Sequence, residues 1–457
     1  MSTGPDLIVV GAGAAGLTAA TTLAHAGLSV TIIEARDRIG GRIFTLRDPK
    51  YGAPVELGAE FIHGLPPETL TLLNQRQVRI REMDGDNWCF IDGKLGTCDF
   101  FSEVESILSK MDDRKPDQSF LDFLEECCPS ANASPRQQHS REWALGYVSG
   151  FNAADPALVG VHWLVQGMRA EEEIEGDRAF RAEHGYADLI DFFQEQLDAA
   201  GVSLLQNTIV EEIRWSPGRA EVALLGPEGA SVISAPRVLI TVPLGVLQAQ
   251  SGEKGAIRFA PDLPQQKQNA IRNVIMGQAA RVVLRFHERF WKDLPSGNKS
   301  SKKMDGMSFL FSHDKSFPTW WTTLPEKLPF LVGWAPFRAA EALAGKDKSF
   351  VIEQSLNTLH RLLGVSVQEL EGLLEHAYFH DWQTDPFSRG AYSYGKVGGD
   401  GMSEALARPI DNTLFFAGEA TDVSGHNGTV HGAIASGNRA AAEILPATAA
   451  RKLRAGG

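Results

Sequence analysis

Asp6 to Val10 is a short run of apolar, mostly β-branched residues with no polar face, the pattern of a strand buried on both sides. Ala, Thr and Leu then recur at helical spacing from Gly16 to Gly27, with Gly27 placed to end the helix. Leu28 to Glu34 is a second strand, so the chain opens on one βαβ unit. Tyr51 to Gly64 reads as Gly-rich loop and short strand. The stretch from 65 to 200 is predicted to be mainly helical, with helices over Val104 to Lys110, Phe120 to Cys128, Arg141 to Phe151 and Tyr186 to Ala199. Polar loops such as Cys128 to Arg136 separate them. Gly201 to Val242 returns to β character through Val202 to Leu205 and Arg237 to Val242. Residues 256–380 mix strands (Ala280 to Phe286, Phe330 to Trp334) with a helix over Phe350 to Leu363. Leu414 to Glu419 is a strand running into a loop, and Thr429 to Ile444 a helix of small residues.

The pattern is that of an α/β protein whose nucleotide-binding pieces, 1–75, 201–255 and 381–457, are separated in sequence. A second, discontinuous domain fills the gaps, helical over 76–200 and mixed sheet and helix over 256–380. A chain of 457 residues is too long for one ordinary core, which fits two domains. Hydrophobic content of 43% and charged content of 22% are those of a soluble globular protein. The net charge of −13 argues against a general nucleic-acid binder; it serves solubility and would favour a cationic ligand. Cys89, Cys98, Cys127 and Cys128 show neither a C-x-x-C pair nor zinc spacing, so no metal site is expected, and adjacent Cys127 and Cys128 are ill placed to bridge each other. So few cysteines suggest a reducing, cytoplasmic setting. The segment after Met1 lacks a secretory pattern, no apolar run reaches the ~18 residues of a membrane helix, and Arg454 to Gly457 carries no address signal.

Candidate chemistry begins at Gly11-x-Gly13-x-x-Gly16, between the first strand and helix, with Ala14 and Ala15 at the helix start. Glycines there allow a tight turn, close approach to a pyrophosphate and close helix–strand packing, and the helix end supplies oriented N–H donors. Glu34 ends the next strand, where a carboxylate accepts from ribose hydroxyls and repels a 2′-phosphate. The ligand is therefore NAD or FAD.

Glu34-Ala35-Arg36-Asp37-Arg38-Ile39-Gly40-Gly41-Arg42 resembles the R-x-G-G-R continuation of flavin-dependent amine oxidases. The resemblance recurs in order along the chain, in Glu56 to Gly64 (with Gly58, Ala59, Glu60, Phe61 and His63), Val210-x-x-Ile213-x-Trp215 and Thr241 to Leu247 (with Val242). It continues through Met276 to Phe286, Phe290-Trp291, Trp382-x-x-Asp385 to Tyr394, Phe415 to Thr421 (with Gly418 and Glu419) and Thr429-Val430-His431-Gly432-Ala433. The family includes polyamine and spermine oxidases, monoamine oxidases and the histone lysine demethylase, and the polyamine oxidases are the nearest in pattern.

The resemblance implies a Rossmann-like FAD-binding domain of the p-hydroxybenzoate hydroxylase (GR2) type with an α+β substrate-binding domain. It implies a small cationic amine as substrate, dioxygen as oxidant, and no nucleic-acid or membrane partner. It implies hydride transfer from the carbon beside a neutral amine nitrogen to flavin N5, imine hydrolysis and hydrogen peroxide. Arg42 would pair with phosphate and Glu419 with the ribityl chain, and the helix from Thr429 would aim its positive end at the flavin pyrimidine. Tyr392 and Thr429 take the positions of the two walls beside the flavin, and Trp382 borders the ring, where core packing is the alternative for the two aromatics.

Ala391 stands where monoamine oxidases carry a flavin-linking Cys, which implies non-covalent FAD. Arg281 stands where many members carry a Lys that holds a water near N5, which weakens oxidase relative to dehydrogenase. His63 matches a substrate-contacting histidine of animal polyamine oxidases, with an ordinary loop histidine as the alternative, and His426 replaces an aromatic residue of several relatives. Arg36 is either a cofactor contact or surface charge, and Arg38 reads as solvated surface charge. The run Glu171 to Asp177 reads as a solvated helix face, or as an attractor for distal ammonium groups. An L-amino-acid oxidase would need a cavity arginine for the carboxylate, with Arg169, Arg178 and Arg181 as candidates; a third possibility is an FAD-holding interaction protein.

Overall fold

A computed structural model describes residues 4–294 and 302–455, so Met1 and the Gly456-Gly457 end lie outside the described residues. The continuous apolar runs pair side by side in one five-stranded parallel sheet. Its order is Ser203–Leu205, Val30–Ile33, Leu7–Val10, Val238–Ile240 and Leu414–Phe416. In register, Val9 lies between Ile32 and Leu239, and Leu239 opposite Phe415. Such strands must be apolar throughout because helices cover the sheet. Leu17, Ala20 and Leu23 of the Ala14–His25 helix share a core with Ala440, Ala441 and Ile444 of the Val430–Ala455 helix.

A seven-stranded sheet forms a second layer, running from Leu374–Phe379 through Ala279–Phe286, Phe330–Pro336, Thr319–Thr322, Met307–Phe311 and Asp86–Ile91 to Lys94–Thr97. Helices Phe100–Leu108, Phe120–Cys127, Pro135–Phe151 and Val161–Glu173 pack around Phe120, Trp143 and Val148. A four-stranded sheet, Gly229–Ala235, Arg219–Gly226, Ile209–Ser216 and Arg258–Ala260, carries Val210.

The expectation of a mainly helical stretch from 65 to 200 is corrected at four strands, Ile80–Glu82, Asp86–Ile91, Lys94–Thr97 and Ala179–Ala182. Asn87-Trp88-Cys89-Phe90-Ile91 is an aromatic and β-branched run ending on Asp92-Gly93. Asp92 and Gly93 take φ of 49° and 75°, the left-handed pair of a tight hairpin turn. That hairpin sets Cys89 opposite Gly96, and Cys89 bonds Cys98 in a disulfide, a pairing that the few cysteines and the reducing setting they suggested did not anticipate. Cys127 and Cys128 are free. Among the described residues no helix is long and apolar enough to cross a membrane.

Candidate active site

One cavity of about 1370 Å³ runs from the first glycine turn to the helical layer. It exceeds the roughly 300–1,000 Å³ of an ordinary small-molecule pocket, leaving room for a dinucleotide and a second molecule. Every site residue expected from the sequence lines it except Gly16: Gly11, Gly13, Ala14, Ala15, Glu34, Ala35, Arg36, Gly41, Arg42, Gly58, Ala59, Glu60, Phe61, His63, Val210, Val242, Arg281, Trp382, Tyr392, Gly418, Glu419, Thr429 and Val430.

Gly16 faces inward instead. A Cβ there would sit 2.1 Å from the Gly11 carbonyl and 2.7 Å from Thr241 Oγ1, so the helix can approach the strand only with glycine. A Cβ at Gly13 would meet nothing within 4 Å, leaving open space over the helix end. The second glycine pair packs on the first: Gly40 N–H donates to Ala12 O at 2.8 Å, and a Cβ on Gly41 would sit 3.2 Å from Gly13 Cα. The buried Glu34 carboxylate accepts from Ala12 N at 2.8 Å and Arg36 N at 2.9 Å, which fixes it beside the turn.

Arg42 crosses from this turn to the C-terminal segment, where Nη1 donates to Ala391 O at 2.7 Å and to Glu419 Oε1 at 2.9 Å. Glu419 Oε2 accepts from Ser393 Oγ at 2.6 Å and from Gly428 N at 2.9 Å. One buried carboxylate thus ties three distant segments together. Thr429 caps the last helix: Oγ1 accepts from Gly432 N at 2.9 Å and donates to His426 O at 2.7 Å. Tyr392 donates to Phe151 O at 2.7 Å, and burial pushes its phenol pKa well up. Trp382 is buried and donates to Leu57 O at 2.7 Å.

Arg36 pairs with Asp385 at 2.8 Å. Arg38 is not solvated surface charge. Its Nη1 donates to the carbonyls of Gly41 (3.0 Å) and Ile43 (3.1 Å), its guanidinium lies 3.9 Å over the Phe44 ring, and burial lowers its pKa to about 10. It holds the turn that presents Arg42.

Arg281 is 5% exposed and donates through Nη1 to Gly58 O at 2.9 Å and through Nη2 to Glu60. Its Nε–H is buried and, among the described residues, unpartnered. Glu60 also accepts from Arg181 Nε at 2.8 Å and Trp321 Nε1 at 2.9 Å. Burial pushes the Glu60 carboxyl up, but the Arg281 and Arg181 charges outweigh it and hold it below the usual range. His63 packs against Phe151 with ring centroids 5.3 Å apart, and burial lowers its pKa to about 4, so it stays neutral at physiological pH.

The sequence reading missed several walls. Tyr147, Phe309, Phe311, Trp321, Trp334 and His431 line the cavity, brought there by pairings distant in sequence. The aromatic richness of 307–334 was the one sequence signal for Phe309, Phe311, Trp321 and Trp334, and it does not reach Tyr147 or His431. The acidic run is corrected in part: Glu172, Glu173, Glu175 and Asp177 are exposed, whereas Glu171 is half-buried in the cavity wall and burial raises its pKa to about 7. The amino-acid-oxidase candidates do not reach the cavity. Arg169 pairs with Asp113, Arg178 with Glu82 and Glu175, and Arg181 with Glu60. No cysteine lines the cavity among the described residues.

A parallel sheet with a glycine turn, an acidic strand end and a capped C-terminal helix around one cavity defines a nucleotide-binding flavoprotein. The chain belongs to the flavin containing amine oxidoreductase family, which it matches over residues 14–445. It is similar to polyamine oxidase 3 of Oryza sativa subsp. japonica, 29% identical over 96% of this chain and 89% of that one. It is 30% identical to lysine-specific histone demethylase 1 homolog 2 of Arabidopsis thaliana, over 96% of this chain and 58% of that one. Among solved structures, a putrescine oxidase bound to putrescine shares the fold with a TM-score of 0.77 and 22% identity, covering 97% of this chain and 99% of that one. The cofactor is FAD, and the protein is an amine oxidase.

Proposed function

We propose that this enzyme oxidises a small cationic amine, a polyamine or other secondary amine, and holds FAD non-covalently through the cavity residues named above. The observation that carries the substrate reading is the charge of the cavity wall away from the glycine turn. Glu105, Glu171, Glu172, Glu175 and Asp177 line that side, and among the described residues no Lys or Arg does. The cavity's arginines, Arg36, Arg42 and Arg281, belong to the nucleotide half and are already paired with Asp385, Glu419 and Glu60.

A neutral His63 adds no repulsion for an incoming ammonium. An ammonium beside Glu171 would draw that carboxyl back towards its charged form. Tyr147 and Phe151, stacked at 5.2 Å, supply faces for the chain's methylenes. Tyr392, pinned through its hydroxyl to Phe151, and Thr429, pinned as a helix cap, would hold the reacting carbon in one place. Bound FAD supplies the hydride acceptor, and dioxygen takes the electrons as hydrogen peroxide. The N-terminal end of the Val430–Ala455 helix faces the cavity through Thr429 and Val430 and favours negative charge developing there.

The relatives named for polyamines and the putrescine-bound neighbour support this reading. An amino acid as substrate lacks its anion site, since no arginine free of a carboxylate lines the cavity among the described residues. The test is Glu171→Gln. Loss of one half-buried charge contact should raise KM for putrescine or spermine about 10- to 100-fold while kcat changes less than about threefold. An unchanged KM for every diamine and polyamine would remove Glu171 from substrate binding.

A further inference from the structure

We propose that Glu171, His426 and His431 form a transition-metal site at the cavity wall, of the kind that takes Zn²⁺. Their ligating atoms, one from each side chain, all lie within 4.8 Å of one another. The three come from different elements: Glu171 from the Val161–Glu173 helix, His426 from the loop before the last helix, and His431 from that helix's first turn.

The independent observation is that both imidazoles are unsatisfied. His431 is 3% exposed and, among the described residues, its Nε2 has no hydrogen-bond partner; His426 Nδ1 is buried and likewise unpartnered among them. A buried polar atom left without a partner is costly, so a ligand belongs there. The rings face each other at 4.6 Å and 75°. Their backbone is fixed: His426 N–H donates to Asp422 Oδ1 at 2.9 Å, and His426 O accepts from Thr429. Gly425 packs so closely on the Val161–Glu173 helix that a Cβ would meet Gln166 O at 2.8 Å. The geometry is therefore held before any ion arrives.

Two imidazoles and one carboxylate suit Zn²⁺, Co²⁺, Ni²⁺ or Cu²⁺ rather than Mg²⁺ or Ca²⁺, which take oxygen ligands. Three protein ligands leave a fourth position, and because Glu171 and His431 line the cavity it opens to the cavity. Two other clusters, His139 with Glu142 and His313, and Asp117 with His162 and Asp400, are close-set but already satisfied. His139 Nε2 meets the Trp143 indole N–H, and both ring nitrogens of His162 are bonded, to Asp400 and Lys115 O. The proposed site departs from the expectation of no metal, which rested on the absence of a C-x-x-C pair and of a His partner to the cysteines at zinc spacing.

The test is calorimetric titration of chelator-treated, FAD-loaded enzyme with Zn²⁺, and Cu²⁺ electron paramagnetic resonance for nitrogen ligands. A His139→Gln/His162→Gln background removes the competing clusters. One Zn²⁺ should bind per chain, and His426→Gln should weaken it at least about 100-fold. Among the described residues the His426 side chain makes no hydrogen bond, so this variant should keep the flavin spectrum and circular dichroism of the parent. A Cu²⁺ spectrum with two nitrogen ligands should fall to one. No Zn²⁺ binding, or binding indifferent to both His426→Gln and Glu171→Gln, overturns the site and leaves a bridging water as the occupant. A further consequence rests on the amine reading of the cavity: since Glu171 would serve both, Zn²⁺ should compete with the amine. Binding without competition upholds the metal site and contradicts only that reading.

Discussion

Glu60 sits between the buried Arg281 and the partly buried Arg181 guanidiniums, and its removal gives a prediction with a definite asymmetry. Glu60→Gln leaves Arg281 and Arg181 facing each other's charge with neither carboxylate oxygen between them. Arg181 keeps the Thr322 and Leu324 carbonyls and Arg281 keeps Gly58 O, so both remain hydrogen-bonded but unneutralised. Breaking a buried pair from one side costs about 3–5 kcal/mol. Arg281→Met is the milder change. Glu60 then retains Arg181 and the Trp321 indole, and the loss is about 1–3 kcal/mol. For a chain of this length the unfolding entropy is about 1 kcal/mol/K, so the expected falls in melting temperature are about 3–5 °C and about 1–3 °C. Thermal unfolding of holoenzyme at fixed excess FAD measures both, because bound ligand shifts the midpoint with concentration. An Arg281→Met variant as damaged as Glu60→Gln would refute the reasoning, since Arg281 would then be held by something other than Glu60.

Two further predictions concern the glycine turn and pH. Gly16→Ala should destabilise the apoprotein because its Cβ meets Gly11 O at 2.1 Å, whereas Gly13→Ala, with nothing within 4 Å, should leave apo stability within about 0.5 kcal/mol and abolish FAD retention. Equal apo melting temperatures for the two variants, or FAD retained by Gly13→Ala, would contradict this. Burial raises the Glu56 pKa from 4.5 to about 7, so its stabilising contribution is complete below pH 4.5 and disappears as pH rises through 7. That amounts to about 3 kcal/mol, and Glu56→Gln should flatten the stability profile between pH 5 and 8; an unchanged slope would assign it to other groups.

The parallel sheet was legible because buried parallel strands must be apolar along their whole length, as Leu7–Val10 and Val238–Ile240 are. The nucleotide half of the cavity was legible for a related reason, since glycines and a strand-end acid have few other uses in that order. The hairpin at Asp86–Thr97 was missed although Asp92-Gly93 is a strong turn signal, because the helices after it dominated the window. Arg38 looked like surface charge because nothing local shows that Phe44 and three carbonyls close over it. The seven-stranded sheet's aromatics could not be placed in the cavity from sequence, since Trp321 and Trp334 meet it only through pairings with strands far away in the chain. Glu171 was merged with its exposed neighbours because a charge run gives no clue to which member turns inward.

The most direct test of the account is anaerobic mixing of the FAD-loaded enzyme with a panel of putrescine, spermine, N-acetylspermine, simple monoamines and L-amino acids, followed by admission of air. The account predicts loss of the visible flavin absorption with di- or polyamines, no loss with L-amino acids, and one hydrogen peroxide per amine oxidised once air enters. No flavin reduction by any amine in the panel would contradict it.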